Sequence, residues 1–485
     1  MLNQLTVLEF MEYIMPANPT DITISGHIVR LDDRKKIVFG EISDGTTIET
    51  VKFIYNGKLK DSSPDIVAFR QASPGASVSL TGHIVEAPLK ATQKYELNVH
   101  SAVVHSSIRD PASYLYGLKA HKVKTLEEEQ KHMVAIRTDL IKRFRDKTFQ
   151  ATLRLRSIIY SSIIDFMVQR GIVNITAPIL TDYDCEGAGE MFTATTLTPG
   201  HKDYTDDFFK RQMHLSVSGQ LYIEAAAREL CKGVYTYGRV FRAEHSDTSR
   251  HLAEFDMLEV ETVYTEINTE DRFNKLMQLQ EDIIKHVISV VILHGKDDMN
   301  YLSKVLGTSP ISVWNKIHET PFSKITYTEA IDHLNKHIKQ GGTFKDMNIH
   351  FGMDLGSEHE RFICENVYNR PTFITHYPQT LKSFYMKGDV NCEPGKKTCQ
   401  AVDLLVPGVG ELCGGSMRED CSKKLIDVIN TKGINKDELS WYIDLRQDGG
   451  FPTGGFGLGF DRLVSYITGI LNVRDVVPFP RCYTK

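Results

Sequence analysis

Alternation of apolar and polar residues dominates the first hundred positions. Ile22 to Val29, Ile37 to Ile42, Thr47 to Ile54, Ser77 to Val85 and Tyr95 to Val104 are runs rich in β-branched and aromatic residues. That composition and period predict half-buried strands. Turn signals separate them: Asp32-Asp33, Asp44-Gly45, Asn56-Gly57 and Pro74-Gly75. Five short strands before residue 110 predict a small closed barrel of the OB type. Such barrels present one open face that commonly takes single-stranded nucleic acid. A β domain that binds nothing fits the same pattern.

Beyond residue 106 the period changes. Pro111 and weak periodicity mark a linker, and Thr125 to Gln150 then reads as charged helix with more Lys and Arg than acids. Arg156 to Arg170 predicts an amphipathic helix with Ile158, Ile159, Ile163, Ile164 and Met167 on its apolar face. Gly171 stops it, and Pro178 closes the strand that follows. From there β-rich segments alternate with short helices, as in an α+β domain. The expected organisation is a barrel domain over 1–110, a linker over 111–135 and an α+β domain over 136–485, with a mostly helical insertion near 265–345.

Composition narrows the class. Of 485 residues, 41% are hydrophobic and 25% charged, so the chain is globular and large enough for several domains. A net charge of -5 argues against a general nucleic-acid coat but leaves room for a local basic face. The opening MLNQLTVLEFMEYIMP carries Glu9 and Glu12 and no basic stretch, which predicts neither export nor an Arg-rich transit peptide. No run reaches the ~18–20 apolar residues of a membrane span. The 8 cysteines are scattered, without the spacing of a zinc knuckle, and a reducing cytoplasm is expected.

Three clusters carry candidate chemistry. No P-loop is present: EPGKKT around Gly395 lacks the spaced leading glycine. Instead Gly455, Gly457 and Gly459 alternate within GGFGLGFDR, so a strand there has one bare face against which a flat ring such as adenine can lie. Arg462 opens the next helix, with a fork suited to stacking or to phosphate. In the second cluster, strands at Val234–Val240 and Met257–Tyr264 flank a polar loop bordered by Arg242 and Arg250, a pair able to clamp phosphates. In the third, Asp403 and Glu411 sit on either side of a turn and suit a shared magnesium ion, with Arg418 beyond a glycine pair. Close packing or ordinary surface charge would also account for each cluster taken alone.

Together the segments FRAE…SRHLAEF, GELCGGSMRE, GFGLGFDRL and NVRDVVPFPR resemble motif 2, the metal-binding acids and motif 3 of the class II aminoacyl-tRNA synthetases. The form is similar to the aspartyl/asparaginyl/lysyl subgroup, over roughly residues 20 to 485. The resemblance implies an anticodon-binding OB-fold barrel, with Arg30 and Phe39 on its open face, and an antiparallel catalytic sheet flanked by helices. It also implies ATP as substrate with Mg2+, tRNA as acceptor, no membrane, and a homodimer built on the helix and strand that end at Pro178.

Position by position, Arg242 resembles the arginine on the α-phosphate, and Glu244 its partner near adenine and the acceptor end. Arg250 and His251 match loop residues near the outer phosphates. Phe255 matches the ring under adenine and Arg462 the arginine over it, with Gly457 and Gly459 beside the nucleotide. Arg242 and Arg462 are then the catalytic pair, and Asp403 and Glu411 the metal acids. Glu186 would face the amino acid's ammonium group, with Ser218 and Gln220 in the same pocket. His245 stands where the family has asparagine.

Aspartyl members typically carry a lysine three positions after the glutamine matched by Gln220; here that position is Ile223. Glu259 stands where asparaginyl members have a glutamate, which accepts from an amide and repels a carboxylate, while Arg418 donates to the amide oxygen. Hydrogen-bond match plus charge mismatch discriminates where size does not. The resemblance therefore implies asparagine as the amino acid. An aspartyl enzyme, strict or relaxed, and a non-catalytic RNA-binding relative are the alternatives. Lys382 is expected to lie outside the amino-acid pocket as a structural residue.

Overall fold

A computed structural model of the chain describes residues 3–12, 21–57, 63–89, 91, 93–110, 125–185, 191–201, 203–307, 314, 317, 319–390, 392–447 and 449–483. Of the expected linker, residues 111–124 lie outside the described residues, and so does Glu186. The chain divides into two compact units, Met1–Leu155 with Gly295–Ser309, and Arg156–His294 with Pro310–Lys485. No helix among the described residues is long and apolar enough to cross a membrane.

The first unit holds a barrel of β2 (Ile22–Asp33), β3 (Val38–Ser43), β4 (Val51–Tyr55), β5 (Ser77–Glu86) and β6 (Tyr95–Ser106), preceded by the short strand β1 (Asn3–Leu5). The order is β1-β2-β3-β4-β6-β5, and β2 also pairs with β5, which closes the five longer strands on themselves. Closure removes the free sheet edges. Alternation supplies the core: Ile22, Ile24, Ile28, Val38, Ile42, Val51, Phe53, Val78, Leu80 and Leu97 point inward and are buried. Three-residue β1, parallel to β2, is too short to leave a periodic signal.

The helical stretch expected at 125–150 is broken. One helix, Leu126–Arg137, starts at a capping box made by Thr125 and Glu128. The next, Lys147–Gln169, starts nine residues earlier than Arg156. Buried Asp146 accounts for the break: its Oδ1 accepts from Phe149 N at 2.9 Å, so it caps a new helix rather than continuing the old one.

The second unit is built on an eight-stranded, mostly antiparallel sheet. Its strands are β7 (Val173–Asn174), β11 (Val234–Phe241), β12 (Glu254–Val263), β13 (Ser323–Thr326), β14 (Thr372–Pro378), β15 (Thr398–Val406), β16 (Gly410–Met417) and β17 (Thr453–Gly459). They run in the order β13-β14-β15-β16-β17-β12-β11-β7. A small sheet of β8 (Leu180–Thr181), β9 (Thr193–Ala194) and β10 (Met213–Leu215) stands apart from it. The helix Thr269–His294 buries Phe273, Leu276, Ile283 and Ile284 and packs on β15, β16 and β17. Arg156 ties two segments together, with Nη2 2.6 Å from Asp256 and Nη1 2.5 Å from Asp461. This pair of bonds fixes the start of the helix Phe460–Thr468, and hence Arg462, against β12.

Candidate active site

Register across the sheet builds the floor of the site. Glu259 on β12 pairs with Gly457 on β17, Gly457 with Gly414 on β16, and Gly414 with Asp403 on β15. Directly paired residues share a face. The row therefore reads acid, bare, bare, acid. Two glycines leave a trough between Glu259 and Asp403 in a cavity of about 490 Å³. The opposite face carries Leu258, Leu458, Cys413 and Leu404, all buried, which makes the floor rigid.

The three alternating glycines serve different neighbours. A Cβ on Gly455 would stand 2.0 Å from Glu261 Oε2. One on Gly457 would meet Met257 Sδ at 3.1 Å and otherwise face the cavity. One on Gly459 would touch the Arg462 side chain at 3.5 Å.

A β-bulge brings the second acid onto this face. Asp403 pairs with Gly414 and Leu404 with Cys413, but Leu405 pairs with Glu411, so Leu412 is the extra residue. Without the bulge, period-2 alternation would send Glu411 to the far side. Glu411 Oε1 and Asp403 Oδ1 lie 3.2 and 3.5 Å from the position a Gly414 Cβ would take. Two carboxylate oxygens converging on a bare glycine suit a hard divalent cation. Burial raises the Asp403 pKa, with Lys382 opposing. Glu411 is lowered despite burial, because Arg462, Lys382, Arg250 and Arg242 surround it.

Cations gather at the same end of the cavity. The Arg242 guanidinium lies 5.5 Å from the Phe255 ring centroid, and its Nη1 is 3.9 Å from Glu244. Arg462 Nη1 donates to the Glu411 carbonyl at 3.0 Å and lies 3.3 Å from its carboxylate. His251 Nδ1 is 2.6 Å from Thr248 Oγ1, and its Nε2 is 3.8 Å from Glu244. Burial, then the neighbouring Arg462, keeps His251 below the usual histidine value.

At the other end Arg418 is 3% exposed and donates from each of its three nitrogens. Its Nη2 donates to Glu261 at 2.8 Å and Gln220 Oε1 at 2.6 Å, and its Nη1 to Ser416 Oγ at 2.7 Å. Glu261 is completely buried; that burial pushes its carboxyl up, and the Arg418 guanidinium opposes the shift. Glu259 accepts from Gly219 N at 2.8 Å and from the Ser218 hydroxyl, fixing the turn ahead of the helix Gln220–Leu230.

The structure thus brings Arg242, Glu244, Arg250, His251, Phe255, Gly457, Gly459 and Arg462 to one cavity. Ser218, Gln220, Glu259, Arg418, Asp403 and Glu411 line it too. In the barrel, Arg30 and Phe39 are exposed, and Arg34 lies 5.5 Å over the Phe39 ring.

Lys382, which follows the 3-10 turn Gln379–Leu381, lines the cavity with its Nζ 2.6 Å from Asp403 Oδ2, paired with one of the two converging acids. Two acids escaped the sequence reading. Glu360 holds Arg250 Nη1 at 3.1 Å and accepts from Glu411 N at 3.3 Å, from a helix 110 residues away from Arg250. Nothing near it in sequence signals that partnership. Glu261 did leave a signal: strand alternation puts it on the face of Glu259, and an acid buried on a strand calls for a cation.

Comparison with known proteins agrees with this geometry. The family model described as tRNA synthetases class II (D, K and N) matches residues 132–483. An asparagine–tRNA ligase of Mesoplasma florum is 40% identical over 465 residues, 95% of each chain. One from Bacillus anthracis is 37% identical over 468 residues, 95% of this chain and 94% of the relative. Among solved structures, the asparaginyl-tRNA synthetase of Pyrococcus horikoshii complexed with asparaginyl-adenylate superposes with a TM-score of 0.81 at 25% identity, covering 100% of this chain and 99% of that one. Motifs, sheet and match over most of its length agree, and the chain belongs to the class II tRNA synthetases of the D, K and N group.

Proposed function

We propose that this protein attaches asparagine to its tRNA in two steps through asparaginyl-adenylate. The relatives named asparagine–tRNA ligase over nearly the whole chain support this reading. The observation that carries the choice of amino acid is the charge balance beside Arg418. Its cation is cancelled by Glu261 at 2.8 Å, and Glu259 adds a second negative charge to the same pocket. A neutral side-chain amide accepts from Arg418 and donates to a carboxylate. An aspartate carboxylate would meet net negative charge there.

In the first step an oxygen of the asparagine carboxylate attacks the α-phosphorus of ATP, and pyrophosphate leaves. In the second, the terminal adenosine hydroxyl of tRNA attacks the acyl carbon, AMP leaves, and the hydroxyl proton is released. Arg242 holds the α-phosphate, Arg242 and Arg462 together offset the charge that develops there, and Arg250 with His251 grips the outer phosphates. The adenine lies between Phe255 and Arg462, beside Gly457 and Gly459. Gln220 and Ser218 orient the amino acid, with Glu186 meeting its ammonium group. Positioning and fixed charge account for such catalysis, and one such donor is worth about 10²–10³ in rate. Asp403 and Glu411 would hold Mg2+, which offsets phosphate charge when bound.

The exposure of Phe39 and Arg30 supports reading the barrel as the anticodon-binding domain, by stacking and charge. A homodimer fits the exposed Tyr160, Val173, Ile179 and Leu180 along the segment that ends the long helix and leads through β7 and β8. Free cysteines throughout the described residues fit work in the cytoplasm. The test is transfer of labelled asparagine to asparagine-accepting tRNA with ATP. Acid-stable label on tRNA, with release of AMP and pyrophosphate, is expected. Label from aspartate alone would overturn the choice of substrate.

A further inference from the structure

We infer that the barrel carries a site for a divalent transition-metal ion of the zinc class, formed by Asp21, His83 and His100. Asp21 stands immediately before β2, His83 on β5 and His100 on β6. The pairing of Ile22 with Gly82 carries Asp21 opposite His83. A bulge supplies the third group: Thr81 pairs with Ser101 and Gly82 with Val99, so His100 is the extra residue. A bulge re-aims the side chain it inserts. At this point a Cβ on Gly82 would fall 2.1 Å from the Asn98 carbonyl, so the close approach needs glycine.

The donor atoms already converge. His83 Nδ1 is 2.8 Å from Asp21 Oδ1, and His100 Nε2 is 3.1 Å from Asp21 Oδ2. One donor from each residue lies within 4.8 Å of the others, a grouping found nowhere else among the described residues. Tetrahedral zinc with ligands at ~2.0–2.1 Å spaces its donors by about 3.3 Å, so small side-chain adjustments complete the set. Asp21 Oδ1 is buried yet receives no hydrogen bond, although an imidazole nitrogen stands beside it. An oxygen so placed can take part in holding a cation shared with the two imidazoles. Two imidazoles and a carboxylate match borderline-soft metals better than magnesium or calcium. The two histidines keep about half of their surface exposed, at 53% and 48%, which leaves the remaining coordination positions open to water or a ligand.

The test uses the full-length protein stripped with a chelator and titrated calorimetrically with zinc chloride. His83→Gln and His100→Gln are compared with His105→Gln, a barrel histidine held by Ser79 at 2.7 Å and outside the cluster. Wild type and His105→Gln should bind one zinc ion that both cluster variants lose. That component should weaken by more than ~10-fold, since loss of even a supporting partner acts on that scale. Comparison between variants also removes any zinc held by the cavity acids. Thermal unfolding and circular dichroism report that each variant, barrel included, is folded. If a histidine variant fails to fold, Asp21→Asn decides in its place. Identical isotherms for wild type and the cluster variants, or no zinc bound by wild type, would overturn the proposal.

Discussion

The glycine strand β17 allows one substitution to be made twice with opposite consequences. In Gly455→Ala the new methyl would stand 2.0 Å from Glu261 Oε2 and 2.3 Å from the Val260 carbonyl. Backbone on the neighbouring strand cannot yield, so Glu261 must leave and Arg418 loses its partner. Breaking a buried ion pair costs about 3–5 kcal/mol, and overpacking adds about 1–3 kcal/mol. Together, about 4–8 kcal/mol is comparable with the whole stability of ~5–15 kcal/mol of a domain. In Gly457→Ala the methyl meets Met257 Sδ at 3.1 Å, the movable end of a flexible side chain, and otherwise fills the trough. Stability should change by less than ~1.5 kcal/mol, within the range of tolerated core changes. ATP binding should suffer instead. Thermal unfolding and pyrophosphate exchange, measured on both variants, separate the two effects. Gly455→Ala should unfold at markedly lower temperature, whereas Gly457→Ala should unfold near wild type with a raised KM for ATP. Equal unfolding temperatures for the two variants, or unimpaired exchange in Gly457→Ala, would refute the assignment of one glycine to the protein and the next to its ligand.

Three further outcomes are expected. Glu259→Gln removes a charge that at ~5 Å and an effective dielectric of ~20 is worth about 3 kcal/mol; the preference for asparagine over aspartate in pyrophosphate exchange should fall by up to ~100-fold. His251 takes up its proton at lower pH when folded than when unfolded, so it adds no pH dependence above the unfolded value. As pH falls through about 6.5 toward the lowered folded value, it should subtract stability, and His251→Gln should flatten that part of a plot of unfolding temperature against pH. Phe39→Ala should weaken tRNA charging by the ~1–3 kcal/mol of a stacked base while leaving pyrophosphate exchange intact; equal loss in both reactions would remove Phe39 from tRNA recognition.

Local chemistry was legible in the sequence wherever one short segment carries it. The bare face of β17 follows from glycines at alternate positions, and the hairpin of β11 and β12 from two strands around a polar loop. Barrel strands were visible because their alternation is regular and their turns carry Asp-Gly, Asn-Gly and Pro-Gly. What stayed hidden depends on distant partners or on phase. Glu261 and Arg418 are 157 residues apart, and Lys382 meets Asp403 through a turn without sequence signature. The bulge at Leu412 that turns Glu411 into the cavity shifts strand phase by one residue, which no periodicity count registers. Asp146 was hidden differently, as a cap inside what read as continuous charged helix.

Pyrophosphate exchange into ATP, run on one preparation with asparagine, aspartate and lysine in turn, weighs most directly on the claim that the Arg418 pocket is tuned to a neutral amide. Exchange should be supported by asparagine and fall to background with the other two. Exchange with aspartate at a comparable rate would contradict it.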